Sequence, residues 1–127
     1  MTATLLVFLG GGIGAALRHG VNVAVARWLG TGFPWHTLAV NVVGSLAMGL
    51  IVGWLALRAE ANWSQPLRLF LTTGICGGFT TFSAFSLDAV LLWERGEMAA
   101  AAVYVAASVA ASIAGLLAGL ILMRSMS

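Results

Sequence analysis

The sequence contains little charge and no lysine. Only 8% of its 127 residues are charged, with six arginines against four acids. A nucleic-acid-binding surface needs clustered basic residues, and the chain has none, so that class of protein is excluded. The single cysteine, Cys76, excludes a disulfide framework and a multi-cysteine metal site. We expect Cys76 to be a small buried thiol.

Residues that perform enzyme chemistry are also scarce. His19 and His36 are the two histidines, and neither has a Cys, Asp or Glu at metal-ligand spacing. The glycine-rich segments lack the Gly-Lys-Ser/Thr ending of a phosphate-binding loop. The sequence therefore does not predict an enzyme.

Most of the chain is apolar. Hydrophobic residues make up 61% of it, and the mean hydropathy is +1.01. Charged residues, Pro, Gly and Trp divide it into four spans of the length that a bilayer requires, roughly 20 residues or more. They are Thr4–Trp28, Trp35–Leu57, Leu67–Trp93 and Met98–Met123.

This division predicts an all-α integral membrane protein with one four-span domain, residues 1–127. The five tryptophans lie at or near the span ends, as in an interfacial aromatic belt. The first span has no basic segment before its apolar run, so we expect a retained helix rather than a signal peptide.

The third span contains a segment that is unusual for a membrane helix. Residues Thr72–Ser86 include three glycines, four threonines and two serines. Each glycine in a helix interior costs about 1 kcal/mol relative to alanine, and Ser and Thr offer the backbone competing hydrogen bonds. The segment predicts a helix broken near its middle, a feature of proteins that bind or conduct ions within the membrane.

The arginines give the chain almost no preferred orientation. Arg58, Arg68 and Arg124 belong to one predicted side, and Arg27 and Arg95 to the other. Orientation follows the balance of basic residues, so a chain without bias can insert both ways up. Two copies could then pair as an antiparallel, dual-topology homodimer; the alternative is that other factors fix one orientation.

Polar and small residues form stripes at helical spacing. Such stripes should face the protein interior, because polar groups in contact with lipid are unfavourable. For a single serine, helix packing is the commoner explanation, but three stripes beside a broken helix favour a shared polar pathway. The stripes are Thr37, Asn41, Ser45 and Gly49; Tyr104, Ser108 and Ser112; and Gly10, Gly14, Arg18 and Asn22.

The chemistry of these side chains favours an anion. Most of the stripe side chains can donate hydrogen bonds, and Arg18 adds positive charge. No acid lies near the middle of a predicted span, whereas cation pathways usually place one there. Phe82 and Phe85 are by default packing residues, but beside a helix break their positive ring edges can contact an anion.

Three segments resemble motifs of the Fluc/CrcB family of bacterial fluoride channels: Gly11–Arg18, Gly32–Gly44 and Gly74–Ser86. The last, with its Gly-Gly-Phe-Thr-Thr-Phe-Ser-Ala-Phe-Ser sequence, is the most specific. Ala84 stands where the family often has Thr, and Asp88 where it often has Glu.

The resemblance implies a dual-topology homodimer in the bacterial inner membrane, with two parallel pores that export cytoplasmic fluoride passively. It implies that Arg18 serves the vestibule and the structure. It also implies one structural sodium ion at the dimer centre, held by the backbone carbonyls of Gly77 and Thr80. The fluoride pathway that it implies consists of Asn41, Phe82, Ser83, Phe85, Tyr104, Ser108 and Ser112.

Two other functions are compatible with a small four-span protein. A dual-topology cation or multidrug exporter has this size, but it needs an acid within the membrane, and the first span has none. A structural or assembly subunit without transport activity would use the stripes for packing alone. Ion flux through the purified protein distinguishes these functions.

Overall fold

The structure, a computed structural model, describes residues 1–126, and every regular element within that range is a helix. The elements are α1 (Thr2–Leu29), α2 (Trp35–Ala56), α3 (Ser64–Arg68), a π-helical segment (Leu69–Cys76), α4 (Gly77–Phe79), α5 (Phe82–Glu94) and α6 (Met98–Ser125).

Within the described residues, four stretches are long and apolar enough to cross a membrane, as predicted: Thr2–Leu29, Trp35–Ala56, Ser64–Glu94 and Met98–Ser125. The predicted limits lie within three residues of these bounds. Three of the four stretches extend slightly beyond the predicted limits, and the second ends one residue earlier, because backbone hydrogen bonding, rather than hydropathy, decides where a helix ends.

The predicted break near the middle of the third span is confirmed, and it is confined to two residues. Thr80 has φ −83° and ψ 158°, and Thr81 has φ −152° and ψ 120°, so both are extended. The glycines of the segment are not themselves the break. Gly74 lies in the π-helical segment, and Gly77 and Gly78 lie in α4.

Glycines instead bring the third span against α1. A Cβ on Gly10 would lie 2.6 Å from the Phe70 carbonyl oxygen, and one on Gly78 would collide with the Gly11 carbonyl oxygen. Helices associate in membranes mainly through such close packing, since lipid is as apolar as the side chains. The small residues therefore set how near α1 lies to the helix break.

Helices α2 and α6 form the second close pair, again through glycines. A Cβ on Gly49 would collide with the Leu116 carbonyl oxygen, and one on Gly119 would lie 2.7 Å from that of Leu46. Helix α5 packs on α6. The break thus lies between the α1 side of the molecule and the α2–α6 pair.

The interior of a single chain is small. The fully buried side chains include Val40, Leu55, Leu92 and Tyr104, and the thiol of Cys76 is buried as expected, at 3% exposure. Large apolar side chains on every span are exposed, among them Phe82 at 78%. This distribution suits a protein whose surroundings are lipid or another apolar surface.

The close contact of α1 with the third span leads to a testable prediction. Gly14→Ala should destabilise the protein by about 1–3 kcal/mol, the usual range for overpacking. Its Cβ would collide with the Ile75 carbonyl oxygen and lie 2.8 Å from the Phe79 amide nitrogen. Gly12→Ala is the matched control, because nothing lies within 4 Å of a Cβ at that position. Thermal unfolding in detergent measures both, and equal midpoints would contradict this account.

Candidate functional site

The helix break is stabilised locally by an N-cap at the start of α5. The Thr81 hydroxyl oxygen accepts a hydrogen bond from the Ala84 amide nitrogen at 3.1 Å, so Thr81 is the N-cap of α5. Ser83 Oγ lies 3.2 Å from the same hydroxyl. A threonine is a favoured N-cap because its side chain satisfies a backbone donor that the first helical turn leaves free. The cap uses only the backbone of residue 84, so alanine serves there.

A side chain from α2 completes the break. The Thr81 amide nitrogen donates to Asn41 Oδ1 at 2.8 Å, and Asn41 Nδ2 donates to the Thr81 carbonyl oxygen at 3.0 Å. Backbone polar groups inside a membrane need partners, because no water is available to replace a lost hydrogen bond. Asn41 therefore satisfies both polar groups of the extended residue.

The break leaves backbone carbonyls without helical donors. The Thr80 amide still donates to the Cys76 carbonyl at 2.9 Å, but the next donor along the chain, Thr81, is bonded to Asn41. Ala84 is bonded to the Thr81 side chain. As a result, the carbonyls of Gly77 and Thr80 receive no hydrogen bond from residues 1–126.

These are the two carbonyls that the family resemblance implies as sodium ligands, and that role stays a prediction. Free carbonyl oxygens at a broken membrane helix suit a hard cation and need no carboxylate. Among residues 1–126, no cluster of His, Cys, Asp and Glu could hold a metal ion. Gly77 is also exposed in the single chain. Backbone carbonyls are therefore candidate cation ligands that need no carboxylate.

Arg18 connects α1 to the end of α4 through a hydrogen bond. Its Nε donates to the Gly78 carbonyl oxygen at 3.2 Å. Together with the close approach of Gly10 and Gly14, this contact shows that the predicted first-span stripe faces the third span. Charge-assisted hydrogen bonds are stronger than neutral ones, so Arg18 helps to hold the carbonyl end of α4 in place.

A groove of about 390 Å³ lies beside the break, between α2, α5 and α6. It brings together most of the residues predicted for the ion pathway. Its other lining residues are mainly apolar, with Ser45, Thr80 and Thr81 as further polar ones. The predicted residues that line it are Asn41, Phe82, Phe85, Ser108 and Ser112.

Two predicted pathway residues lie outside the lining of this groove. Ser83 is exposed and bonds to the cap of α5. Tyr104 is fully buried next to the groove, where its ring lies 5.3 Å from that of Phe85, between centroids. Its hydroxyl donates to Asp88 Oδ2 at 3.1 Å, which gives Asp88 a partner that the sequence did not reveal.

Phe33, in the first loop, was missed altogether. Its ring meets the Tyr104 ring edge-on, with 5.6 Å between centroids and an interplanar angle of 89°. Arg95 holds this loop by donating to the Gly32 carbonyl at 2.9 Å, and it pairs with Glu97 at the same distance. No spacing rule connects a loop residue to a side chain so far along the chain.

Ser108 has an unusual environment for a hydroxyl. The residue is 5% exposed, and its Oγ has no hydrogen-bond partner within residues 1–126. A buried hydroxyl without a partner is unfavourable by about 1–3 kcal/mol on protein mutational scales. Such groups are uncommon in native proteins, so the Ser108 hydroxyl is a candidate donor to a ligand.

The fold and the site together define a class: a small four-span helical membrane protein with a donor-rich groove beside a broken helix. The chain belongs to the CrcB-like protein family (camphor resistance), which it matches over residues 5–120. The resemblance found in the three sequence motifs is therefore confirmed.

Three relatives illustrate the similarity. The chain is 62% identical to the fluoride-specific ion channel FluC of Methylobacterium nodulans over 108 residues, 85% of each chain. It is 61% identical to that of Rhodopseudomonas palustris over 104 residues, 82% of each chain. Over all 127 residues of both chains it is 51% identical to that of Beijerinckia indica subsp. indica. The family is one of ion channels, not enzymes.

The N-cap of α5 can be tested by substitution of Thr81. Thr81→Ala should destabilise the protein by about 1 kcal/mol, because the Ala84 amide loses its acceptor. Thr81→Ser keeps a hydroxyl oxygen and should stay within a few tenths of a kcal/mol of the wild type. Thermal unfolding in detergent compares the two variants. Equal losses for both would contradict the capping role.

Proposed function

We propose that this protein is a passive fluoride channel that exports fluoride across a bacterial inner membrane. The observation that carries the proposal is the groove beside the helix break, where hydrogen-bond donors and phenylalanine rings meet without an acid. The names of the relatives support fluoride as the ion.

Fluoride is small and strongly hydrated, so a pathway must replace its water shell with good donors. The Asn41 amide has two N–H groups, of which one is bonded to the Thr81 carbonyl, so the second remains for an anion. The hydroxyl of Ser108 is buried and unpartnered within the described residues. Ser112 adds a further hydroxyl along the same face of α6.

Phe82 and Phe85 bridge the stretch between these donors. Their ring centroids lie 5.4 Å apart at an interplanar angle of 55°. A ring edge is positive but carries no fixed charge, so it attracts an anion without trapping it. This balance matters, because conduction requires binding weak enough for the ion to leave.

A second copy of the chain completes the pathway in this proposal. The groove is open along one side, and Phe82 is 78% exposed in the single chain. Gly77, whose carbonyl has no donor within residues 1–126, is also an exposed residue, and a bare carbonyl cannot face lipid. The balanced arginines allow the chain to insert both ways up, as antiparallel pairing requires. Two antiparallel copies form two pores, each lined by both chains.

Pairing also brings two broken third spans together at the dimer centre. Gly77 and Thr80 from both copies would then hold one sodium ion, which supplies positive charge to neutralise the facing carbonyl dipoles. Within each chain, Arg18 positions the end of α4 through the Gly78 carbonyl. We assign Arg18 to the vestibule and to structure rather than to selectivity.

The charged side chains do not provide coupling to a second ion. Asp88, the one acid within a described span interior, is occupied by the Tyr104 hydroxyl. Proton-coupled exporters need a membrane acid that is free to exchange protons with substrate. Transport is therefore down the electrochemical gradient, with fluoride leaving the cytoplasm.

Ion selectivity can be measured as efflux from liposomes. Liposomes that contain the purified protein should lose fluoride rapidly, and not chloride, once a potassium ionophore removes the charge imbalance. Phe82→Ile should slow fluoride loss about tenfold, as a barrier raised by about 1.4 kcal/mol would. Phe8→Ile is the matched control, since Phe8 is similarly exposed, at 74%, but lies on α1 away from the groove. Ion-selective electrodes measure both anions.

The absence of fluoride loss from wild-type liposomes would refute the proposal. Flux of small cations or drugs would then support an exporter, and no flux at all would support an assembly subunit. Equal slowing by Phe82→Ile and Phe8→Ile would show that the effect does not arise in the groove.

Substitution of Ser108 should affect flux and stability differently. Ser108→Ala should slow fluoride loss because a donor is removed from the pathway. It should not lower the unfolding temperature, because the hydroxyl makes no hydrogen bond to residues 1–126 that the variant would lose. The unfolding temperature should stay equal or rise slightly, since an unpartnered buried hydroxyl is removed. Flux and thermal unfolding are measured on the same preparation. Unchanged flux with reduced stability would assign Ser108 to packing.

A further inference from the structure

The two hydrogen bonds between Asn41 and Thr81 have a consequence for the cation site. We infer that Asn41 keeps the Gly77 carbonyl free, so that sodium binding at the helix break depends on this side chain of α2. The inference rests on the sodium site of the proposed function and assigns Asn41 a positioning role in addition to its place in the groove.

The break prevents one hydrogen bond of the helical pattern. Helix α4 runs to Phe79, and the Thr80 amide donates to the Cys76 carbonyl at 2.9 Å, as in a continuing α-helix. The next bond of the same pattern joins the Thr81 amide to the Gly77 carbonyl. If that bond formed, the Gly77 oxygen would have a donor facing it, and it would be a poor cation ligand.

Asn41 holds the Thr81 amide away from the Gly77 carbonyl. Thr81 is extended, and an extended residue presents its N–H and its C=O on the same side. Asn41 offers an acceptor at 2.8 Å and a donor at 3.0 Å to these two groups. The side-chain amide therefore binds Thr81 as a neighbouring strand would, and this pairing competes with helix continuation.

Without the Asn41 side chain, the Thr81 N–H and C=O lose both partners at membrane depth, where water does not replace them. The nearest available acceptor in the helical pattern is the Gly77 carbonyl, so the break tends to close. The same substitution removes a donor from the ion groove. Asn41 thus connects the anion pathway with the cation ligands through one side chain.

The test is sodium binding to the purified protein in detergent, measured by retention of radioactive sodium with potassium as the competing cation. Asn41→Ala should bind sodium about tenfold more weakly or worse, as loss of one required hydrogen bond predicts. Ser45→Ala is the matched control: Ser45 lies one turn further along the same face of α2, and within residues 1–126 its side chain makes no hydrogen bond to the break. It should bind sodium as the wild type does.

A second variant separates the acceptor from the side chain's other functions. Asn41→Asp keeps an oxygen that can accept from the Thr81 amide, whether or not the carboxyl is protonated. It should retain sodium binding while fluoride flux falls. The new negative charge alone could attract sodium, so the double variant Asn41→Ala/Ser45→Asp restores charge without restoring the acceptor. This double variant should stay as weak as Asn41→Ala.

The outcomes separate this inference from the proposed function. Wild-type sodium affinity in folded Asn41→Ala would overturn the inference, and so would loss of sodium in folded Asn41→Asp or absence of sodium binding in the wild type. Wild-type fluoride flux is measured separately in liposomes. Absent flux together with Asn41-dependent sodium binding would refute the fluoride channel and leave the inference standing. Thermal unfolding verifies that each variant is folded.

Discussion

Backbone hydrogen bonding inside a membrane is the constraint on which the rest of this structure depends. A helix that breaks there releases amides and carbonyls that lipid cannot satisfy. In this protein Asn41 takes up both polar groups of Thr81, the Thr81 hydroxyl takes up the Ala84 amide, and Arg18 takes up the Gly78 carbonyl. Within residues 1–126 the carbonyls of Gly77 and Thr80 remain without a donor, and they are the ones that we propose as cation ligands.

Close helix packing makes this arrangement possible. Asn41 reaches the break because the third span lies directly against α2 at Gly44, where a Cβ would collide with the Thr80 side chain. On the opposite side, Gly10 and Gly14 bring α1 near enough for Arg18 to reach Gly78. The glycines of the stripes thus set the distance between the helices. At that distance the polar residues of the stripes reach the backbone of the helix break.

The spans, the helix break and most of the groove could be predicted from the sequence, because each depends on a local pattern. Hydropathy marks the spans, the Thr72–Ser86 composition marks the break, and four-residue spacing places Asn41, Ser108 and Ser112 on inward faces. The partners could not be predicted. Asn41 and Thr81 are 40 residues apart in the chain, and only the folded packing decides which backbone group a side chain meets. Phe33 on Tyr104 and Asp88 as an acceptor were missed for the same reason.

The π-helical segment Leu69–Cys76 has one more consequence. Its hydrogen bonds span five residues instead of four, so its length sets the rotational phase of α4, which follows it directly. Inserting or deleting a single residue there would turn α4 by about 100° about the helix axis. The Gly78 carbonyl would then turn away from α1 and from the Arg18 side chain that donates to it. The length of this segment therefore helps to fix the contact between α1 and the helix break.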